Sequence, residues 1–246
     1  MTDLKRYSTG IPNLDKRLQG GYPEGEAVLI TGEPGTGKTI FGIQFLNSAC
    51  LSGKKCVMIA TEETPEKIMV HAKLLGFDLE SHIADKKLSI MHLLEMRAAD
   101  PGAHAGEAQP FTIHMDDLNN FSHLIADDIE VVVIDNMGTC SIGMELRTFR
   151  DKLETLLYLL SKQRRTSIII MDETAHEYTH RIAEYSTYGT IRLLVKENPY
   201  TGKMERFMYI PKMRGTKLLL DPINYDITEE GITLLASQGK KDKPNC

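Results

Sequence analysis

The run EAVLITGEPGTGKTIFGIQFLNSACL, residues 26 to 51, decides the architecture. Its opening, Glu26 to Thr31, is a short apolar run without polar alternation, which marks a strand buried on both faces. Lys38 to Leu51 sets Ile40, Phe41, Ile43, Gln44, Phe45 and Leu46 around a broad, mostly apolar helical face. Between them GEPGTGKT, Gly32 to Thr39, fits G-x-x-x-x-G-K-[ST]. Strand, glycine-rich turn and helix form the setting in which this motif holds phosphate. The glycines let successive backbone N–H groups turn inward, and the helix N-terminus adds partial positive charge. The candidate nucleotide contacts are Gly32, Glu33, Pro34, Gly35, Thr36, Gly37, Lys38, Thr39 and Ile40. Lys38 is expected to reach the β- and γ-phosphates of ATP, and the Thr39 hydroxyl to coordinate magnesium.

Outward from this unit, apolar runs and helical patterns keep alternating. Lys55 to Thr61 reads as a second strand; Thr64 can cap the next helix, Pro65 suits its first turn and Gly76 its end. Leu88 to His92 is a short strand. Residues 95–110, EMRAADPGAHAGEAQP, have no periodicity and predict a mobile surface loop. Met115 to Asp128 reads as helix, Val131 to Asp135 (VVVID) as the clearest buried strand, Arg147 to Gln163 as helix and Ser167 to Met171 as strand. Thr190 to Lys196 and Met204 to Lys212 predict a hairpin around Asn198, Pro199 and Gly202, and Tyr225 to Leu235 a short terminal β segment. The expectation is an α/β fold: a mostly parallel sheet with helices on both faces and a C-terminal antiparallel hairpin edge. One domain is expected over residues 1–237, followed by a polar, lysine-rich tail over 238–246.

Phosphate chemistry needs more than the loop. Magnesium calls for a carboxylate from an adjacent strand, and Asp135 ends the run VVVI at the ligand edge of a parallel sheet. Hydrolysis needs a group that orients or deprotonates water. Glu62 and Glu63 follow the strand ending at Thr61, on the same edge; the alternative is that they only precede the helix, where negative charge is favourable. Asp172, Glu173 and Thr174 end another strand there and suit a polar loop start.

Five stretches together resemble the KaiC-like branch of the RecA ATPase superfamily: STGIPNLDKRLQGGYPEG from Ser8, GEPGTGKT, TEETPEK from Thr61, VVVIDNM from Val131 and KMRGTK from Lys212. The resemblance implies a RecA-like P-loop NTPase core that forms a ring, commonly a hexamer, with ATP between neighbouring subunits. It implies a catalytic Glu62–Glu63 doublet and, as the alternative to a polar loop start, a γ-phosphate sensor at Asp172, Glu173 and Thr174. It also implies that Lys212, Met213, Arg214 and Thr216 reach the ATP of the adjacent subunit, Met213 through its backbone. A Lys–Arg pair on a hairpin exit can stabilise γ-phosphate charge in trans. Two departures stand out. The family segment often continues with Ser-His, where this chain has Lys217 and Leu218. A circadian role does not follow from the resemblance, because the clock protein carries two such domains in tandem, this sequence has one, and the phosphorylation site of the second is not identifiable in it.

Composition sets limits on other readings. The formal net charge of −5 disfavours polyanion binding through overall electrostatics, basic residues are scattered, and tryptophan is absent. Nucleic acid is therefore not favoured as a partner, although the superfamily includes DNA recombinases. No apolar run approaches the ~18 residues that span a membrane, and the expectation is a cytoplasmic protein without a membrane partner. Cys50, Cys56, Cys140 and Cys246 form no C-x-x-C pair and read as reduced thiols. HEYTH, His176 to His180, fits the zinc pattern H-E-x-x-H, but the metzincin extension is missing and only Glu184 offers a third ligand; a solvated helical turn or loop is expected. The expected function is a magnesium-dependent ATPase acting as a regulatory or assembly module. The alternatives are a serine/threonine autokinase or phosphotransferase, a RecA-like recombination accessory protein, and a nucleotide-gated scaffold. The protein partner is not legible.

Overall fold

The structure is a computed structural model and describes residues 4–93, 122, 125–172, 176–199 and 201–235. In chain order its elements begin with β1 (Arg6–Tyr7), α1 (Pro12–Arg17) and β2 (Tyr22–Pro23). Then come β3 (Ala27–Gly32), α2 (Lys38–Leu51), β4 (Cys56–Ala60), α3 (Pro65–Leu74), α4 (Leu79–Ala84) and β5 (Leu88–His92). They are followed by β6 (Val131–Asp135), α5 (Met137–Ser141), α6 (Leu146–Lys162), β7 (Thr166–Asp172), α7 (Glu177–Ser186) and β8 (Gly189–Glu197). The last are β9 (Met204–Met213), β10 (Ile223–Thr228) and β11 (Gly231–Leu234).

Period-two alternation explains how one sheet carries two cores. Val28, Ile30, Met58, Val131, Val133, Ile168 and Ile170 face one side, where they meet Phe41, Phe45 and Leu46 of α2. Leu29, Val57, Ile59, Val132, Ile134, Ile169 and Met171 face the other, against Phe149, Leu153, Leu156 and Leu160 of α6. Those four recur at helical spacing, with Leu157 packed partly beside them, and the opposite face of α6 meets solvent. Burying side chains of this size stabilises the fold by about 1.5–3 kcal/mol each.

The sheet order is β11-β10-β9-β8-β3-β7-β6-β4-β5. From β8 to β5 neighbouring strands are parallel, and β9, β10 and β11 add on antiparallel. The register aligns the carboxyl ends: Gly32 lies opposite Asp172, and Ala60 opposite Asp135. At Gly32 a Cβ would come 2.3 Å from the Leu193 carbonyl oxygen, so glycine is required where the strand turns into the loop.

The α/β fold with its antiparallel edge is as the sequence predicts, and several details differ. The terminal β segment is two strands, β10 and β11, turning at Gly231 with φ +82°. The small β1–β2 sheet and α1 carry too few residues to show a periodicity. Thr64 does occupy the cap position of α3, but its side chain makes no capping hydrogen bond. HEYTH belongs to a full helix, α7, capped by His176. The predicted loop at 95–110, most of the helix at 115–128 and the tail from Gln238 lie outside the described residues.

Candidate nucleotide site

The phosphate loop joins β3 to α2 and is held from two directions. Within it, Lys38 Nζ donates to the carbonyls of Gly32 at 2.8 Å and Glu33 at 3.0 Å, and Thr36 Oγ1 donates to Glu33 O at 2.8 Å. From outside, the buried Tyr225 hydroxyl of β10 donates to Thr36 O at 2.7 Å. Gly37 has φ +93°, a left-handed conformation that favours glycine, and a Cβ there would come 2.9 Å from Ile227 Cδ1. The antiparallel edge thus braces the loop. Nothing local in the sequence around Tyr225 signals this, because the contact depends on sheet order.

Thr39 Oγ1 donates to Asp135 Oδ2 at 2.7 Å, so the hydroxyl and carboxylate picked out for magnesium do meet. Burial pushes the Asp135 carboxyl up to about 6; Glu62 and Glu63 add to the rise, while the Thr39 hydrogen bond and Lys38 oppose it. Glu62 Oε1 accepts from Thr139 Oγ1 at 2.8 Å and from Asn136 Nδ2 at 3.2 Å. Glu63 turns the other way, its Oε2 lying 3.2 Å from His71 Nδ1 on α3. The doublet is therefore divided: one carboxylate is held against α5, and the other faces an exposed histidine.

Asn136 organises this edge. Its Oδ1 accepts from Gly138 N at 2.8 Å and Asp172 N at 3.3 Å, and its backbone N–H donates to Thr61 Oγ1 at 2.8 Å. Backbone and side chain together thereby tie the turn after β4, the start of α5 and the end of β7 to one residue, and the side chain also holds Glu62. Its place directly after Asp135, the second polar residue past the apolar run VVVI, was the available signal for it. Asp172 lies beside Gly32 in the sheet; Glu173 and Thr174 lie outside the described residues.

Lys212, Arg214 and Thr216 lie elsewhere. Gly189 pairs with both Val28 and Met213, so the end of β9 sits at the amino edge of the parallel strands. Lys212 Nζ donates to the carbonyls of Glu184, Tyr185 and Thr187 at the end of α7. Burial, and then Arg214, pull its ammonium down to about 8. Arg214 is exposed, with one long contact of 3.4 Å to Tyr185 O. The Met213 side chain is core, packed where Gly189 leaves room. Thr216 Oγ1 accepts from Arg6 at 2.8 Å.

HEYTH does not assemble a metal site. His176 accepts from Tyr178 N at 3.3 Å, His180 Nδ1 lies 3.3 Å from Thr31 Oγ1, and Glu184 is paired with Arg192 at 2.6 Å. Among the described residues no group of three metal-ligating side chains exists. None of their helices is long and apolar enough to cross a membrane.

A parallel sheet with this loop at its carboxyl edge and an acidic strand end beside it defines a RecA-type P-loop core. A protein-family model described as "ATPase: KaiC" matches residues 7–239, and the chain belongs to the KaiC ATPase family. Membership implies nucleotide binding. Among its relatives, a UPF0273 protein of Thermotoga maritima is 29% identical over 96% of this chain and 98% of its own length. A UPF0273 protein of Methanopyrus kandleri is 31% identical, over 93% of this chain and 91% of its own. The circadian clock protein KaiC2 of Synechocystis is 28% identical over 94% of this chain, which covers 39% of that protein. The crystal structure of a KaiC-like protein from Pyrococcus horikoshii superposes with a TM-score of 0.76 at 25% identity, covering 94% of this chain and 99% of that one.

Proposed function

We propose that residues 1–237 form one magnesium-dependent ATPase domain that works in a ring, with each ATP shared between two subunits, as a regulatory or assembly module in the cytoplasm. The hydroxyl of Thr39 and the buried carboxylate of Asp135 are hard oxygen donors suited to magnesium, beside a lysine suited to phosphate. Bound magnesium would neutralise charge on the β- and γ-phosphates. The chain's own part is positional. Backbone N–H groups of Gly35 to Thr39 and the Lys38 ammonium hold the phosphates, and Glu62 orients the attacking water, kept in place by Asn136 and Thr139.

The observation that carries the shared site is the separation of its two halves. Four residue steps of strand separate the row of Val28 from that of Gly32, about 13 Å at ~3.3 Å each, and Arg214 lies one residue further out. Two strand spacings add about 10 Å sideways. No side chain of one subunit covers that distance to its own loop, whereas a neighbour packed edge to edge offers Arg214 directly. The fixed Lys212 serves to anchor the strand end from which Arg214 projects.

A mixing experiment tests this. Lys38→Ala and Arg214→Ala proteins should each be nearly inactive, since a trans-acting arginine can contribute ~10³ or more in rate. Mixed rings should regain activity where an intact loop meets an intact Arg214. If subunits demonstrably exchange and activity does not return, the shared site is wrong. Mass determination with and without ATP and magnesium gives the ring size.

A further inference from the structure

The stretch from Ser8 to Gly25 carries family likeness yet takes no part in holding phosphate. Its contacts show a different employment. At one end it is rooted on the phosphate-loop helix. Ser8 Oγ, Thr9 N and Thr9 Oγ1 all donate to the Asp15 carboxylate, closing a tight turn. Gly10 in that turn lies so close to α2 that a Cβ would come 2.6 Å from Gln44 O, and Gly10 O accepts from Gln44 Nε2 at 3.0 Å. Ile11, Leu14 and Leu18 are buried in the same core as Phe41 and Phe45.

At the other end the segment grips the loop that follows β9. Arg6 Nη2 donates to Gly215 O at 3.0 Å and Thr216 Oγ1 at 2.8 Å, while Nη1 donates to Gly21 O at 3.0 Å. Gln19 Oε1 accepts from Lys217 N at 3.2 Å, and Arg17 pairs with Asp221 at 3.1 Å. Gly215, Thr216 and Lys217, all held here, follow Arg214 directly. The loop between β9 and β10 has no ladder of its own, and it exposes Leu219 and Leu220. Gly215, with φ +63°, makes the turn immediately after Arg214.

We propose that residues 4–21 are a strap that fixes the trans-acting loop, with Arg6 as a positioning residue for Arg214 of the same subunit. The inference rests on the shared-site reading above. Arg6 is turned onto its own chain. Its guanidinium serves three acceptors on two chain segments through a planar fork, which a lysine ammonium cannot reproduce. The strap's root in the core on α2 gives the fork a fixed base. Without it the loop after Arg214 is released, and Arg214 is held from the β9 side alone, with its backbone bond to Tyr188 O at 3.2 Å and the long side-chain contact to Tyr185. Displacement of a catalytic group by ~1 Å can cost up to about 10²-fold in rate.

The experiment is ATP turnover and nucleotide affinity of Arg6→Ala, alone and mixed with Lys38→Ala, beside the same measurements on Arg214→Ala. Arg6→Ala should turn over ~10- to 10²-fold more slowly with ATP affinity within about twofold of the parent, the split expected of lost positioning. Lys38→Ala subunits carry an intact strap and should restore its activity as they restore that of Arg214→Ala. A merely structural defect would lower affinity or resist rescue. Turnover of Arg6→Ala near the parent rate overturns the strap. So does rescue of Arg214→Ala without rescue of Arg6→Ala, which leaves the shared site standing. Parent-like turnover by Arg214→Ala removes the shared site, and the strap with it. If Arg6→Ala does not fold, Arg6→Lys, which keeps the charge and loses the fork, goes through the same mixing with the same outcomes.

Discussion

Asp135→Asn should make the nucleotide-free protein more stable while disabling it. Burial pushes the Asp135 carboxyl from its ordinary 3.8 up to about 6. The folded state therefore holds this proton more tightly than the unfolded one. Stability from this group is fully present below about 4, falls as pH rises towards 6, and stays lost above it. Two units correspond to ~3 kcal/mol. Part of Asp135 still reaches solvent, so about 1–3 kcal/mol is the working range. Asparagine keeps the shape and an acceptor for Thr39 Oγ1 but carries no charge to bury. For a chain of this length that range is a melting-temperature rise of about 2–12 °C at pH 8. The assay is thermal unfolding without nucleotide from pH 4 to 8.5, with magnesium-dependent ATP binding measured alongside. The gain should vanish near pH 4, and magnesium-dependent binding should be lost at pH 8. An Asp135→Asn protein less stable than the parent at pH 8, or a gain unchanged down to pH 4, would refute the reasoning.

Other substitutions separate the remaining roles. Lys38→Ala should weaken binding of a fluorescent ATP analogue at least tenfold; unchanged affinity would remove Lys38 from the phosphate site. Glu62→Gln should slow hydrolysis by ~10²-fold or more with ATP still bound, while Glu63→Gln, whose parent carboxylate faces His71, should cost under tenfold. The reverse order in single-turnover rates would exchange the two roles. Tyr225→Phe keeps the ring against Phe41 but leaves the Thr36 carbonyl without its donor. It should cost about 1–2 kcal/mol, or ~2–8 °C in calorimetry, and an unchanged melting temperature would show that the brace contributes nothing.

What the sequence made legible follows from how local each signal is. The phosphate loop, the strand ending at Asp135 and the six parallel strands announce themselves through runs and spacings of a few residues. The meeting of Thr39 with Asp135 follows from a shared carboxyl edge, although β7 and not β6 is the strand adjacent to β3, and the emergence of Glu62 follows from the same edge. Where the two carboxylates turn was not legible, because it depends on Thr139 and His71, which lie on different helices. The β1–β2 pair was invisible for a related reason: two-residue strands have no period. The HEYTH pattern shows the opposite failure, a short motif satisfied in the sequence and emptied by packing, since His180 is aimed at Thr31 under the sheet.

The hydrogen bond from Tyr225 to Thr36 spans 189 residues. Chains are made from the amino end, and a ribosome adds roughly 5–20 residues each second. The phosphate loop is thus synthesised early and left unbraced for about 10–40 seconds, until β10 arrives to hold it. A growing chain has the complete motif long before it has the braced loop. In this protein the brace on the phosphate loop is among the last contacts translation supplies, and an incomplete product lacking β10 carries the motif without that hydrogen bond.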